Sequence, residues 1–169
     1  MKQGFFYRRL ILPILNLLRQ GITPEKIALS IAFGIALGVF PVIGATTLLC
    51  AMAAIVLRLN LPAIQLVNYF VYPLQIALLL PFIRFGEFLF RVRDPLPFSI
   101  TQILQMIATS IPNAVATLWT ATMHAIAAWL LVGPLAVLVS YAVLAPLLRR
   151  LAHLYSVSRA PKSSTEAAQ

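Results

Sequence analysis

The chain has 169 residues, 61% hydrophobic and 10% charged, with 13 Lys and Arg against 4 Asp and Glu for a net charge of +9. Soluble domains run at about 45–50% apolar and about 25% charged, so this composition excludes an ordinary water-soluble globule, and it is too hydrophobic for a disordered polymer. The bases sit outside the apolar runs, which directs them to anionic headgroups rather than nucleic acid, and a single cysteine, Cys50, excludes an intrachain disulfide and a cysteine-based zinc site.

Residues 1–22 form a basic amphipathic lead-in. Phe6, Leu10, Ile14, Leu17 and Leu18 recur at helical spacing among Arg8, Arg9, Asn16 and Arg19. The pattern predicts a helix in the headgroup plane, kinked near Pro13, and not a signal peptide, because a small-residue cleavage site is missing. Gly21 then closes one helix, and Thr23, Pro24 and Glu25 open the next as N-cap, first helical position and dipole partner.

The stretch 27–57 carries no charge. As one straight helix its 31 residues would reach ~46 Å, against a hydrocarbon core of ~30 Å. Pro41 and Gly44 mark a break that leaves two short arms, so a helical hairpin that enters the bilayer and returns fits the arithmetic. A tilted span kinked at Pro41 is the competing fit. Ala28, Ala32 and Ala36 recur every fourth residue with Gly34 and Gly38 beside them. Such a stripe serves close helix packing, either within the chain or across a dimer.

Arg58, Asn60 and Pro62 interrupt the apolar character before a second uncharged stretch, 61–83. It is long enough for one tilted crossing, or it splits at Pro73 into a second hairpin. Residues 84–97, with Arg84, Arg91, Arg93, Glu87 and Asp94, read as a loop, since Pro95 and Pro97 oppose a helix. A helical pattern follows from Phe98, within an apolar segment 98–122 broken at Pro112-Asn113. Trp119 and Trp129 are expected at headgroup level. The clearest span is 125–148, with a kink permitted at Gly133-Pro134, and 151–169 forms a polar tail.

Basic residues cluster at 1–26, 84–97 and 149–169. The positive-inside rule places all three clusters, and both termini, in the cytoplasm. The side of Arg58 then depends on whether 27–57 crosses or re-enters.

Chemistry is sparse. His124 and His153 belong to no ligand pattern, the carboxylates Glu25, Glu87, Asp94 and Glu166 flank the apolar runs, and no glycine loop of nucleotide type is present. This predicts a protein that is not an enzyme and holds no metal and no cofactor. Uncharged polar residues gather at the breaks instead: Thr46 and Thr47 after Pro41–Gly44, and Gln65, Asn68, Tyr69, Tyr72 and Gln75 around Pro73. They serve either to satisfy backbone groups freed by a broken helix or, with Arg58, Asn60 and Arg84, to bind a polar or phosphorylated headgroup.

The stretch Thr23-Pro24-Glu25-Lys26-Ile27-Ala28, then Gly34 to Gly44 with Pro41, then Leu57-Arg58-Leu59-Asn60-Leu61-Pro62, resembles the bacterial membrane family called domain of unknown function 2062, over about residues 20–150. Many members carry Asn-Pro at the next break, whereas this chain has Tyr72-Pro73 with Asn68 one turn earlier. The resemblance implies a multi-pass bacterial inner-membrane protein of unassigned activity. It supplies no catalytic residue. Some relatives are joined to glycosyltransferase domains, which implies envelope work.

The expectation is therefore an all-α integral membrane bundle over 23–150 with proline-broken helices or hairpins at Pro41 and Pro73. Its expected partners are membrane lipids, and its expected role is to bind or move a lipid-linked or amphiphilic envelope substrate. The alternative is a structural or scaffold subunit, homo-oligomeric or partnered with envelope (glycosyltransferase-type) enzymes.

Overall fold

The computed structural model describes residues 23–93 and 100–157. The expected interfacial helix at 1–22 and the end of the polar tail lie outside the described residues. What is described is all-α, with helices α1 (Pro24–Gly38), α2 (Thr46–Val56), α3 (Leu61–Leu89), α4 (Ile100–Thr109) and α5 (Ile111–Val157).

α1 begins where local chemistry favours a start. The Thr23 hydroxyl accepts from the Lys26 amide, Pro24 occupies the first turn, and Glu25 lies at the positive end of the helix. The face carrying Ile27, Ala28, Ile31, Ala32 and Ala36 is buried. α1 packs against both α3 and α5, the two long helices. Its lower half joins Ala145 and Leu148 of α5 in one core cluster, and Val39 beyond its end joins Phe82, Ala125 and Ala128 in a second.

The chain turns back between α1 and α2. Pro41 is buried, and Gly44 takes a φ of +89°, a left-handed conformation that L side chains disfavour. The return is fixed by the Ser30 hydroxyl, in the second turn of α1, which accepts from the Asn60 amide just after α2 at 3.0 Å. The two arms therefore share one end of the bundle, and 27–57 is a helical hairpin rather than a kinked rod. Cys50, Ala54 and Ile64 pack the arm α2 onto α3.

α3 is where the sequence expectation fails. At Pro73 there is no break: the helix runs through Pro73 and Pro81 for 29 residues, ~43 Å. Both prolines are exposed, so each ring faces outward and the missing N–H frees a single carbonyl. The helix also continues past the expected loop start, taking in Arg84 and Glu87, which pair at 2.8 Å with i,i+3 spacing. It closes at Phe90 and Arg91, well past the expected end at 83.

This continuity corrects the expected grouping of basic clusters. α3 starts beside Ser30 and ends where Gly86 packs on the backbone of His124. α5 then returns, and its Arg149 meets Glu25 at 2.6 Å. Lys26, Arg58 and Arg149 thus share one end of the bundle, which we call the proximal end. Arg84, Arg91 and Arg93 lie at the other, distal end, so the three clusters do not share one face.

α5 itself is continuous from Ile111 to Val157, through Pro134 and Pro146 and into the first residues of the expected tail. Among the described residues, α3 and α5 are the two helices long and apolar enough to cross a membrane.

Candidate functional site

The joint between α1 and α2 is the most polar place inside the bundle, and α3 supplies its partners. The Gln75 side-chain amide donates to the Phe40 carbonyl at 2.8 Å and reaches the Val42 carbonyl at 3.4 Å. Gln65 donates to the Thr47 carbonyl at 2.9 Å. Asn68 donates to the Thr47 hydroxyl and to the Gln65 side-chain oxygen. These residues recur every third or fourth position or at multiples of a turn, so they share one face of α3. The Phe40 and Val42 carbonyls lie in the turn between the helices, outside either helical ladder, and Gln75 adds a second donor to each; the Thr47 carbonyl belongs to the first turn of α2.

One polar atom at the joint has no partner. Gln75 is 1% exposed, and its Oε1 makes no hydrogen bond. The amide orientation follows from the network, because only the NH₂ group is able to serve two carbonyl oxygens. A buried acceptor left over costs on the order of 1–3 kcal/mol.

α5 closes the other side of the joint. The Trp129 indole N–H donates to the Ala36 carbonyl at 2.9 Å, and its ring meets Phe40 edge-on at 4.9 Å. Trp129 is therefore an internal strut between α5 and the end of α1. Trp119 is exposed. Gly133 makes the strut possible, since a Cβ there would stand 2.9 Å from the indole. Beside Trp129, between α1 and α5, lies a cavity of about 390 Å³ lined by Phe33, Leu37, Val137 and Leu138 among other apolar side chains. Its walls present no polar surface.

The residues expected to form one headgroup site separate into three levels. Thr46, Thr47, Asn68 and Gln75 gather at the joint, where Thr46 is buried. Arg58 and Asn60 stand at the proximal end. Asn60 is the N-cap of α3, its side-chain oxygen accepting from the Ala63 amide at 2.8 Å. Arg58 is exposed, with a φ of +52°. Its N–H and that of Leu59 bond the Ile55 and Ala54 carbonyls, a Schellman closure of α2 with arginine in the usual glycine position. Arg84 lies at the distal end, 24 residues of helix from Asn60 and so ~36 Å away.

Gly34 and Gly38 face the chain's own α3. A Cβ at Gly34 would stand 2.8 Å from Val67 Cβ, and one at Gly38 would touch Asn68. The stripe is occupied from within, which removes the dimer contact offered for it. Glu87 is a further buried polar residue, one that sequence reasoning assigned to a loop. Its signal was the i,i+3 spacing to Arg84.

Among the described residues no group of three or more His, Cys, Asp or Glu side chains is placed to hold a metal ion. Nothing among curated proteins and nothing among solved structures matches the chain. The model of the domain of unknown function 2062, an uncharacterised protein conserved in bacteria, matches residues 8–155, most of the chain's length, and the chain belongs to that family.

Proposed function

We propose that this chain is a multi-pass protein of the bacterial inner membrane, with both termini cytoplasmic, that binds or moves an amphiphilic, lipid-linked envelope substrate without chemistry of its own. Membrane embedding is supported by what covers the long helices. In the most apolar windows of α3 and α5 only 17% and 11% of residues are buried within the chain. A core helix of a soluble protein is mostly buried, and soluble monomers rarely leave large contiguous apolar faces bare. Lipid is the cover that matches them.

The observation that carries the binding reading is the apolar cavity beside Trp129. It lies beside the last turn of α1, between that helix and α5, and presents only apolar surface. At about 390 Å³ it falls within the ~300–1,000 Å³ of ligand pockets, and its apolar walls select a hydrocarbon chain over a polar solute. A bilayer supplies such chains at high concentration. The scaffold reading has less behind it, because α3 already covers Gly34 and Gly38.

The test is native mass spectrometry of the full chain in detergent, with Val137→Trp as the variant that fills the cavity. Phospholipid or polyprenyl phosphate is expected on the wild type and depleted in Val137→Trp. A lipid-free wild type, or equal retention in the variant, overturns the reading.

A further inference from the structure

The distal end of α3 carries a second arrangement, built from different residues. α3 closes there as α2 does: the N–H groups of Arg91 and Val92 bond the Phe88 and Glu87 carbonyls, with Arg91 at a φ of +50°. This turn brings Arg84, Arg91 and Arg93 around one open cavity of about 690 Å³. Glu87 pairs with Arg84. Among the described residues no carboxylate pairs with Arg91 or Arg93. Two exposed guanidinium groups therefore border one concave, partly apolar space, and such a space suits an oxyanion with several acceptor oxygens.

A second cavity, about 270 Å³, adjoins the first and shares Glu87 and Val92 with it. Its other polar walls are Thr117, Thr120 and His124. The two threonine hydroxyls spend their protons on the Asn113 and Ala116 carbonyls at 2.8 Å, so what they offer inward is lone pairs. Glu87 offers carboxylate oxygen. His124 is held by stacking on Phe90, with ring centroids 4.6 Å apart. Glu87 borders both chambers and is paired with Arg84, so the difference between them lies in their other walls: threonine lone pairs and the His124 ring line the inner chamber, whereas the Arg91 and Arg93 guanidinium groups line the outer one and attract an anion.

We infer that the distal end binds a phosphorylated polyol, with the phosphate in the arginine chamber and the hydroxyl groups in the Glu87–Thr117–Thr120 chamber. The guanidinium groups of the outer chamber and the threonine lone pairs of the inner one set that orientation. The same chemistry belongs to a free glycerophosphate and to the headgroup of an anionic phospholipid. The inference does not rest on the apolar cavity beside Trp129, which lies between α1 and α5.

Calorimetry on the full chain in neutral detergent tests it, with glycerol 3-phosphate, inorganic phosphate, glycerol and dihexanoyl phosphatidylglycerol, whose headgroup glycerol keeps its free hydroxyls, as probes. Glycerol 3-phosphate is expected to bind about tenfold tighter than inorganic phosphate, a difference of about 1.4 kcal/mol, and glycerol alone not at all. Arg91→Gly with Arg93→Ala is expected to weaken both phosphate probes at least tenfold. Glycine suits the left-handed position, so this variant keeps the helix closure. Thr120→Val is expected to remove only the advantage of glycerol 3-phosphate. Val137→Trp is expected to bind both as the wild type does, which separates this site from the lipid-chain cavity. Dihexanoyl phosphatidylglycerol binding tighter than glycerol 3-phosphate assigns the site to a headgroup, and the reverse order assigns it to a free solute. Equal affinity of the arginine variant and the wild type, or no preference for glycerol 3-phosphate over inorganic phosphate, overturns the inference.

Discussion

The indole N–H of Trp129 donates to the carbonyl of Ala36, 93 positions earlier, and it does the work of a missing backbone amide. Val39 caps α1, and the Phe40 amide bonds Leu37. The amide one residue further on would ordinarily take the Ala36 carbonyl, but that residue is Pro41, which has none. The break in one helix is thus completed by a side chain of another.

Trp129→Phe keeps most of the ring volume and strands this carbonyl. A loss of about 1–3 kcal/mol is expected, read from unfolding in detergent micelles by far-ultraviolet circular dichroism. Gly133→Ala is expected to destabilise through the same strut by displacing the indole. The double variant should then lose less than the sum of the two, with a coupling of about 0.5–3 kcal/mol. Strict additivity would mean that Gly133 acts elsewhere.

Gly86→Ala is expected to be among the most damaging small substitutions in the chain. Its Cβ would run into the backbone carbonyl of His124, and backbone cannot step aside as a side-chain tip can. Overpacking of this kind costs about 1–3 kcal/mol or more. At Gly44 the space is open and only the φ of +89° penalises a side chain, so Gly44→Ala should cost less, about 1 kcal/mol. The order of the two melting temperatures is the measurement.

Arg58 should behave oppositely to a structural arginine. Both Arg58→Gly and Arg58→Ala lose the cation at the α2 terminus, but Arg58→Gly relieves the left-handed φ and is expected to unfold no earlier than the wild type, while Arg58→Ala retains that penalty. Thermal unfolding of the pair should separate them by about 1 kcal/mol.

Because α3 joins opposite ends of the bundle, cysteines at positions 58 and 93 in a Cys50→Ala background should label from opposite sides of the cell membrane. An impermeant thiol reagent on intact cells and on inverted vesicles reads this directly. Labelling of both from the same side would contradict the course of α3.

Glu25 links α1 to Arg149 and carries a pH dependence. Its own backbone N–H, and then Arg149, hold its carboxyl below the ordinary value of 4.5. A carboxyl lowered in the folded state adds stability above its unfolded value, and the contribution fades as pH falls through the lowered one. Stability in micelles should decline below pH 4.5, and Glu25→Gln should remove that part of the decline.

The joint at Pro41–Gly44 is legible in the sequence because a 31-residue uncharged run is too long for a rod and because Gly44 supplies the turn that Pro41 requires. The start of α1 is legible because Thr23, Pro24 and Glu25 act within one helical turn. Pro73 misleads because a proline alone does not reverse a chain. No glycine follows it closely, and its exposed ring meets no obstacle. The polar residues of the joint are recognisable by type, but the level each occupies depends on how far α3 runs. That is why Arg58 and Arg84 read as neighbours of Gln75 when the helix separates them. The Trp129–Ala36 bond and the burial of Glu87 depend on α5 packing from far along the chain, and no local pattern carries that information.

The hairpin also bears on how such a chain enters a bilayer. Both its ends lie at the proximal end, so in the proposed membrane embedding Lys26 and Arg58 never have to be translocated. Only the far tip of α3 must be pushed through, and it carries arginines that cost about 2.5–3.5 kcal/mol each at mid-bilayer. Arg84 makes that passage with Glu87 three residues away on the same helix, a counter-charge that travels with it. Insertion of the hairpin is then a one-sided event, and the committing step belongs to α3.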